Sequence, residues 1–171
     1  MEIKTLGVIG AGQMGGGIAQ VAATSGLEVV MNDIKTEFVE KGLASIAKIL
    51  SRGVEKGKMS EDDKKTILGR IKTSVELNDL ASADYVVEAA TENEEIKYQL
   101  FRDLDNICGD QVILATNTSS YDINELADVT PNPQRVLGTH WFHPPPITPA
   151  VEIIPADTAA QRRYQRADFG R

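Results

Sequence analysis

Both histidines of this chain lie in one short stretch, GTHWFHPPP, at residues 138–146. His140 and His143 are candidates for a metal site, for a catalytic base, or for packing in a loop that three prolines stiffen. A zinc site needs three or four protein ligands, and beyond these two imidazoles the neighbouring sequence offers only Glu152 and no cysteine. An imidazole also suits the removal of a proton from a hydroxyl group. The stretch therefore predicts no metal site. A catalytic base and a structural role both remain possible for these histidines.

A second group of chemically informative residues lies near the start, in VIGAGQMGGGIA. Gly10, Gly12 and Gly15 form a G-x-G-x-x-G motif between a strand-like run and a helix-like run. In this motif the first glycine allows a tight turn, the second lets the backbone approach a pyrophosphate, and the third lets the helix pack on the strand. The helix N-terminus, with Gln13 and Met14 in its first turn, offers N–H groups to phosphates. The motif predicts a dinucleotide site.

Asp33 lies 18 residues after Gly15, at the end of the next strand-like run. A carboxylate at this position can accept hydrogen bonds from an adenosine ribose. It would also repel a 2′-phosphate, which favours NAD over NADP. Asp33 can alternatively cap the helix that follows, or fulfil both roles.

The elements that must position these residues alternate between strand and helix. Two amphipathic helices with no predicted strand between them form a helical hairpin over residues 36–72, and Ser60 is the predicted N-cap of the second, which includes Ile71. Further helices are expected at Glu94–Ile107 and near Ile123. The pattern predicts an α/β, Rossmann-type, doubly wound and mostly parallel sheet, with the hairpin inserted after the second strand. The predicted strands lie in LGVIG, LEVVMND, ADYVVEAA, QVILATN, RVLGTH and AVEIIP.

Length and composition limit the classes of protein. The 171 residues are 42% hydrophobic and 25% charged, which is typical of one globular domain. The net charge of −7 argues against a nucleic-acid partner. The single cysteine, Cys108, fits a reducing compartment. With no signal peptide and no apolar run of roughly 20 residues, we expect a cytoplasmic protein without a membrane partner. We predict one domain at residues 1–158 and a frayed polar tail at 159–171.

Over about residues 3–158 the sequence resembles the 3-hydroxyacyl-CoA dehydrogenases, and among them the bacterial 3-hydroxybutyryl-CoA dehydrogenases. The resemblance implies NAD-dependent, reversible oxidation of a short-chain (S)-3-hydroxyacyl-CoA to the 3-ketoacyl-CoA, in fatty-acid and butanoate metabolism. The motifs that carry it are GAGQMGGGIA, VVEAATENEEIK, ATNTSS, THWFHP and AVEII.

The resemblance also implies roles for individual residues. His140 matches the catalytic histidine, Glu152 the glutamate that pairs with it, and Ser119 the serine that binds the substrate's 3-oxygen. Plainer interpretations remain: Glu152 can be a surface residue, Ser119 and Ser120 can cap the helix near Ile123, and the lysines of SRGVEKGKMS can be a solvated face. The other implied positions are Glu92, Lys97, Asn117 and His143 for the cofactor, and Ser51, Lys56 and Lys58 for the phosphates of coenzyme A.

Two departures from the family pattern are present. Where the family has H-F-F-N-P this chain has HWFHP, so His143 replaces an asparagine expected at the nicotinamide. A neutral imidazole does not copy an amide's simultaneous donor and acceptor. The family's C-terminal helical domain, through which its members dimerise, is absent from these 171 residues. An alternative function is therefore an NAD-binding module with little or no turnover.

Overall fold

The fold was obtained as a computed structural model, which describes residues 2–148 and 150–156. The predicted tail at 159–171 and the predicted domain end at residue 158 lie outside the described residues. The helices are α1 (Gln13–Thr24), α2 (Thr36–Glu55), α3 (Glu61–Gly69), α4 (Glu94–Ile107) and α5 (Ile123–Asp128), with 3-10 turns at Leu77–Ser82 and Pro133–Arg135. The strands are β1 (Thr5–Ile9), β2 (Glu28–Asn32), β3 (Ile71–Ser74), β4 (Tyr85–Glu88), β5 (Ile113–Thr116), β6 (Val136–Trp141) and β7 (Val151–Pro155).

Seven strands form one sheet in the order β3-β2-β1-β4-β5-β6-β7. All neighbours in this order pair in parallel except β6 and β7, which are antiparallel. The first six strands have the doubly wound 3-2-1-4-5-6 order, which confirms the predicted Rossmann-type sheet. In such a sheet, ligands bind outside the carboxyl ends of the parallel strands. The strand order therefore places the candidate site at that edge.

The region after α3 corrects the sequence interpretation. Ile71 does not belong to the helix, which ends at Gly69, but begins the edge strand β3. The prediction failed because β3 has only four residues, IKTS, and only one of them is a large apolar residue. The hairpin at 36–72 is therefore two helices followed by a strand, which pairs with β2 from Val29↔Ile71 onward.

Both faces of the sheet are covered by helices. One core contains Ile18 of α1 and Ile46 of α2, and the other contains Phe101 of α4 and Leu126 of α5. Burial raises the pKa of the thiol of Cys108, which lies at the end of α4. Within the described ranges no helix is long and apolar enough to cross a membrane.

The N-terminal caps of α3 and α5 were both predicted from the sequence. Ser60 caps α3 as predicted, because its hydroxyl accepts the N–H of Asp63 while the Asp63 carboxylate accepts the N–H of Ser60. The cap of α5 is Asp122, whose carboxylate accepts the N–H of Asn124. Capping of α5 by Ser119 or Ser120 is therefore wrong.

Candidate active site

The glycine-rich turn connects β1 to α1 and is held by close backbone packing. Gly10 has φ of +96°, and a Cβ there would lie 2.5 Å from the Ala89 carbonyl oxygen. A Cβ on Gly15 would lie 1.8 Å from the Gly10 oxygen. Gly12 differs, because a Cβ there would meet no atom within 4 Å. Gly12 is also the N-cap of α1 and has no side chain to cap the first N–H groups of the helix. This cradle fits a pyrophosphate.

Asp33 follows β2 and contacts the turn directly. Its Oδ2 accepts the N–H of Ala11 at 2.7 Å, and its Oδ1 accepts the N–H of Ile34 at 2.7 Å. The N-cap of α2 is Lys35, without a side-chain cap, so capping of α2 by Asp33 is wrong. Sequence reasoning missed that Asp33 braces the turn, because the Ala11 contact spans 22 positions of the chain.

A cavity of about 710 Å³ opens beside this turn, between α1, α2 and the proline loop at 143–146. Gly12, Gln13, Asp33 and His143 all line it, so these four predicted cofactor residues meet in one place. The loop packs tightly on α1, since a Cβ on Gly17 would lie 2.9 Å from Pro145 Cδ.

Other predicted positions lie away from this cavity. Met14 is half-buried in the first turn of α1 and does not line it. Ser51 and Lys56 lie at the far end of α2 and also do not line it, and Lys56 and Lys58 are exposed.

The side of α2 that faces the cavity was missed by sequence reasoning. Lys41, Ser45 and Ile49 line the cavity, and their four-residue spacing puts them on one helix face. That spacing is the signal that could have identified them. It was obscured because the apolar stripe of α2 lies on an adjoining face.

His140 and Glu152 come together across the antiparallel pair β6 and β7. The register places the two residues opposite each other, and Nδ1 of His140 lies 2.9 Å from Oε2 of Glu152. An ionised carboxylate only accepts, so the contact selects the neutral tautomer in which Nδ1 donates and Nε2 carries the lone pair. The His140 ring also contacts that of Phe142, with centroids 5.2 Å apart. Among residues 2–148 and 150–156, no three His, Cys, Asp or Glu side chains converge as a metal site would require.

Ser119 lies near the same edge of the sheet as His140. β5 and β6 are parallel neighbours with Thr116 opposite Gly138. Ser119 is three residues beyond Thr116, and His140 is two residues beyond Gly138. Ser119 is exposed and lines a separate cavity of about 230 Å³. Between the two strand ends, Asn117 Oδ1 accepts the N–H of Trp141 at 3.0 Å, which ties the β5 loop to β6.

Lys97 belongs to a buried polar cluster at the ends of β4 and β5, and the exposed Glu92 borders it. Lys97 is 1% exposed, and its ammonium donates to both oxygens of Glu88, at 2.8 and 2.9 Å. The ammonium lies 3.7 Å from Glu92 Oε2, which also accepts the hydroxyl of Thr118 at 2.8 Å. Glu88 was not among the site residues predicted from the sequence.

The strand order, the glycine cradle and the carboxylate at the end of β2 define a Rossmann-type domain that fits NAD. The family model "3-hydroxyacyl-CoA dehydrogenase, NAD binding domain" matches residues 5–168. The chain therefore belongs to the 3-hydroxyacyl-CoA dehydrogenase family, and its cofactor is NAD.

Individual relatives agree with this assignment. The chain is 48% identical, over 154 residues, to the probable 3-hydroxybutyryl-CoA dehydrogenase of Bacillus subtilis (strain 168), covering 90% of this chain and 54% of that protein. It superimposes on the crystal structure of (S)-3-hydroxybutyryl-CoA dehydrogenase from Ralstonia eutropha with a TM-score of 0.93, at 44% identity, over 96% of this chain and 58% of that one. The chain thus spans about half the length of the relatives it matches.

Proposed function

We propose that this chain supplies the NAD site and the catalytic base for oxidation of a short-chain (S)-3-hydroxyacyl-CoA to the 3-ketoacyl-CoA. The observation that carries the proposal is the 2.9 Å contact between His140 and Glu152 at the edge of the sheet where the glycine turn lies. The single cysteine supports a reducing location such as the cytoplasm.

In the proposed reaction, NAD held by the glycine turn and Asp33 would supply the hydride acceptor for C3 of the substrate. His140 Nε2 takes the proton of the 3-hydroxyl, because its lone pair is free while Nδ1 donates to Glu152. Glu152 then stabilises the imidazolium and keeps the ring in place. Ser119 donates to the 3-oxygen from the end of β5. The reverse reaction returns the same proton and hydride.

The test is the loss of NADH absorbance at 340 nm after addition of acetoacetyl-CoA, with NADH binding measured separately by calorimetry. Consumption of NADH that depends on acetoacetyl-CoA is the expected result. NADH binding without consumption would favour the alternative, a cofactor-binding module, and absence of NADH binding would contradict both.

A variant of Asp33 tests the cofactor choice. Asp33→Asn is expected to weaken NADH binding about tenfold or more, because both carboxylate oxygens accept backbone N–H groups and an amide turns an N–H₂ toward one of them. It should weaken NADPH binding less, since the charge that repels a 2′-phosphate is gone. Titration of both nucleotides measures the ratio. Equal losses for NADH and NADPH would show that Asp33 braces the turn without selecting the cofactor.

A further inference from the structure

Glu88 is the last residue of β4 and is fully buried, with 0% exposure. Its two carboxylate oxygens receive hydrogen bonds from three different segments. Oε1 accepts the N–H of Ala90 at 2.8 Å, and Oε2 accepts the hydroxyl of Thr116 at 2.6 Å. The Lys97 ammonium donates to both oxygens. The carboxylate thus joins α4 and the loop after β4 to Thr116, the last residue of β5, whose hydroxyl accepts the N–H of Thr118 in the loop that follows.

These three segments carry residues predicted for the cofactor, and they lie in the β4 to β6 half of the doubly wound sheet, the half without the glycine turn, where such folds bind the second mononucleotide. Glu92 lies on the loop after β4, Asn117 on the loop after β5, and Lys97 on α4. The Glu88 carbonyl oxygen also accepts the N–H of Asn117 at 2.7 Å. Because an ammonium has three donors and Glu88 engages it at two oxygens, one Lys97 donor remains for Glu92 or a ligand.

Folding alone does not require an ion pair at this position. The cost of removing two charges from water offsets much of their attraction, so an apolar pair of similar volume is often equally stable. The ion pair of the buried Arg135 with the partly buried Asp105 has an evident structural use. Arg135 donates to the backbone oxygens of Asp105, Cys108 and Gly109 and so closes the end of α4. Glu88 does not bind the carbonyl oxygens at the end of a helix in this way. The groups that donate to its carboxylate all lie at the edge of the sheet where ligands bind.

We propose that Glu88 is a positioning residue, whose buried carboxylate holds the Lys97 ammonium and the loops after β4 and β5 in the arrangement that receives the nicotinamide half of NAD. This inference rests on the proposed function, because it assumes that NAD binds at this edge. The adenosine half is held elsewhere, by the glycine turn and Asp33. Glu88 should therefore affect the two halves of the cofactor differently.

The experiment compares Glu88→Gln with Asp105→Asn, an isosteric change in the partly buried ion pair at the opposite end of α4. Each variant is titrated with NADH and with ADP-ribose, which lacks the nicotinamide. The new glutamine amide turns an N–H₂ toward groups that themselves donate, so NADH should bind about tenfold more weakly while ADP-ribose binding is unchanged. Asp105→Asn should alter neither affinity, although both variants should lower Tm. Equal weakening of NADH and ADP-ribose by Glu88→Gln, or no weakening, would overturn the proposal.

A second readout needs no cofactor. The backbone N–H of Trp141 donates to Asn117 Oδ1 and is thereby protected from exchange. Glu88→Gln should therefore speed hydrogen exchange at the Trp141 backbone amide. Exchange at the Gly10 N–H, which donates to Asn32, should not change. If the unaltered chain binds no NADH, the proposed function fails, and the Trp141 exchange rate still decides whether Glu88 holds the loop. Unchanged exchange at Trp141 in that case would overturn the positioning role as well.

Discussion

Replacing His140 with asparagine is expected to lower the rate of NADH-dependent acetoacetyl-CoA reduction about 10²- to 10⁴-fold, the usual contribution of a general acid or base. Asparagine can still donate from its amide to Glu152, so the contact between β6 and β7 is retained. What it lacks is a nitrogen lone pair that exchanges a proton near neutral pH. The loss should therefore appear in kcat, with NADH affinity unchanged, since His140 does not line the cavity beside the glycine turn.

The same substitution at the second histidine is the matched control. His143→Asn introduces the amide that the family resemblance implies at this position, three residues further along the chain, in the loop after β6. We expect it to raise NADH affinity, because an amide donates and accepts at the same time. Both variants are assayed at 340 nm and titrated with NADH. Retention of the full rate by His140→Asn, or an equally large loss of rate in His143→Asn, would contradict the assignment of His140 as the base.

Glu152→Gln separates the two proposed roles of the carboxylate. The amide oxygen of glutamine can still accept the proton of His140 Nδ1, so ring orientation is preserved while the negative charge is lost. The rate should fall less than in His140→Asn, because only stabilisation of the imidazolium is removed. A rate equal to that of the unaltered protein would show that Glu152 acts through geometry alone. The measurement is kcat over a series of acetoacetyl-CoA concentrations.

Features with local physical causes could be predicted from the sequence. The glycine spacing requires a turn and a close helix contact whatever surrounds it, and the uninterrupted Val- and Ile-rich runs mark strands buried on both faces. Pairing of His140 with Glu152 was implied by the family resemblance and not by the strand patterns, and the register of β6 and β7 places the two residues opposite each other. The catalytic roles of the two residues stay predictions.

Features that depend on distant partners could not be predicted in this way. β3 contains one large apolar residue, so its strand character comes from pairing with β2 and not from its own pattern. Glu88 ends a run of apolar residues, and nothing in the run indicates that Thr116, 28 positions later, donates to its carboxylate. The spacing of Lys41 with Ser45 and Ile49 marks one face of α2, but only the packed fold shows that this face lines the cavity.

Two of the motif glycines, Gly15 and Gly12, give the second large effect, because a Cβ added at each position meets different surroundings. Gly15→Ala places a methyl group 1.8 Å from the Gly10 oxygen, and neither backbone can yield without opening the turn. Overpacking typically lowers the free energy of unfolding by about 1–3 kcal/mol, and a clash with backbone atoms should reach or exceed the upper limit. For a domain of this size, each kcal/mol of lost unfolding free energy lowers Tm by roughly 2–4 °C. Gly15→Ala should therefore lower Tm by about 6 °C or more and abolish NADH binding.

Gly12→Ala should behave in the opposite way. Its Cβ has no neighbour within 4 Å, and its φ of −72° suits any residue. The Tm should therefore equal that of the unaltered protein. NADH affinity should still fall, because the new methyl group occupies the space that a pyrophosphate needs. Gly16→Ala completes the set as a stability control, since the nearest atom to its Cβ is 3.8 Å away and alanine favours the helix. Thermal unfolding and NADH titration of the three variants measure both effects. A fall in Tm for Gly12→Ala as large as that for Gly15→Ala would show that Gly12 serves the fold and not the cofactor.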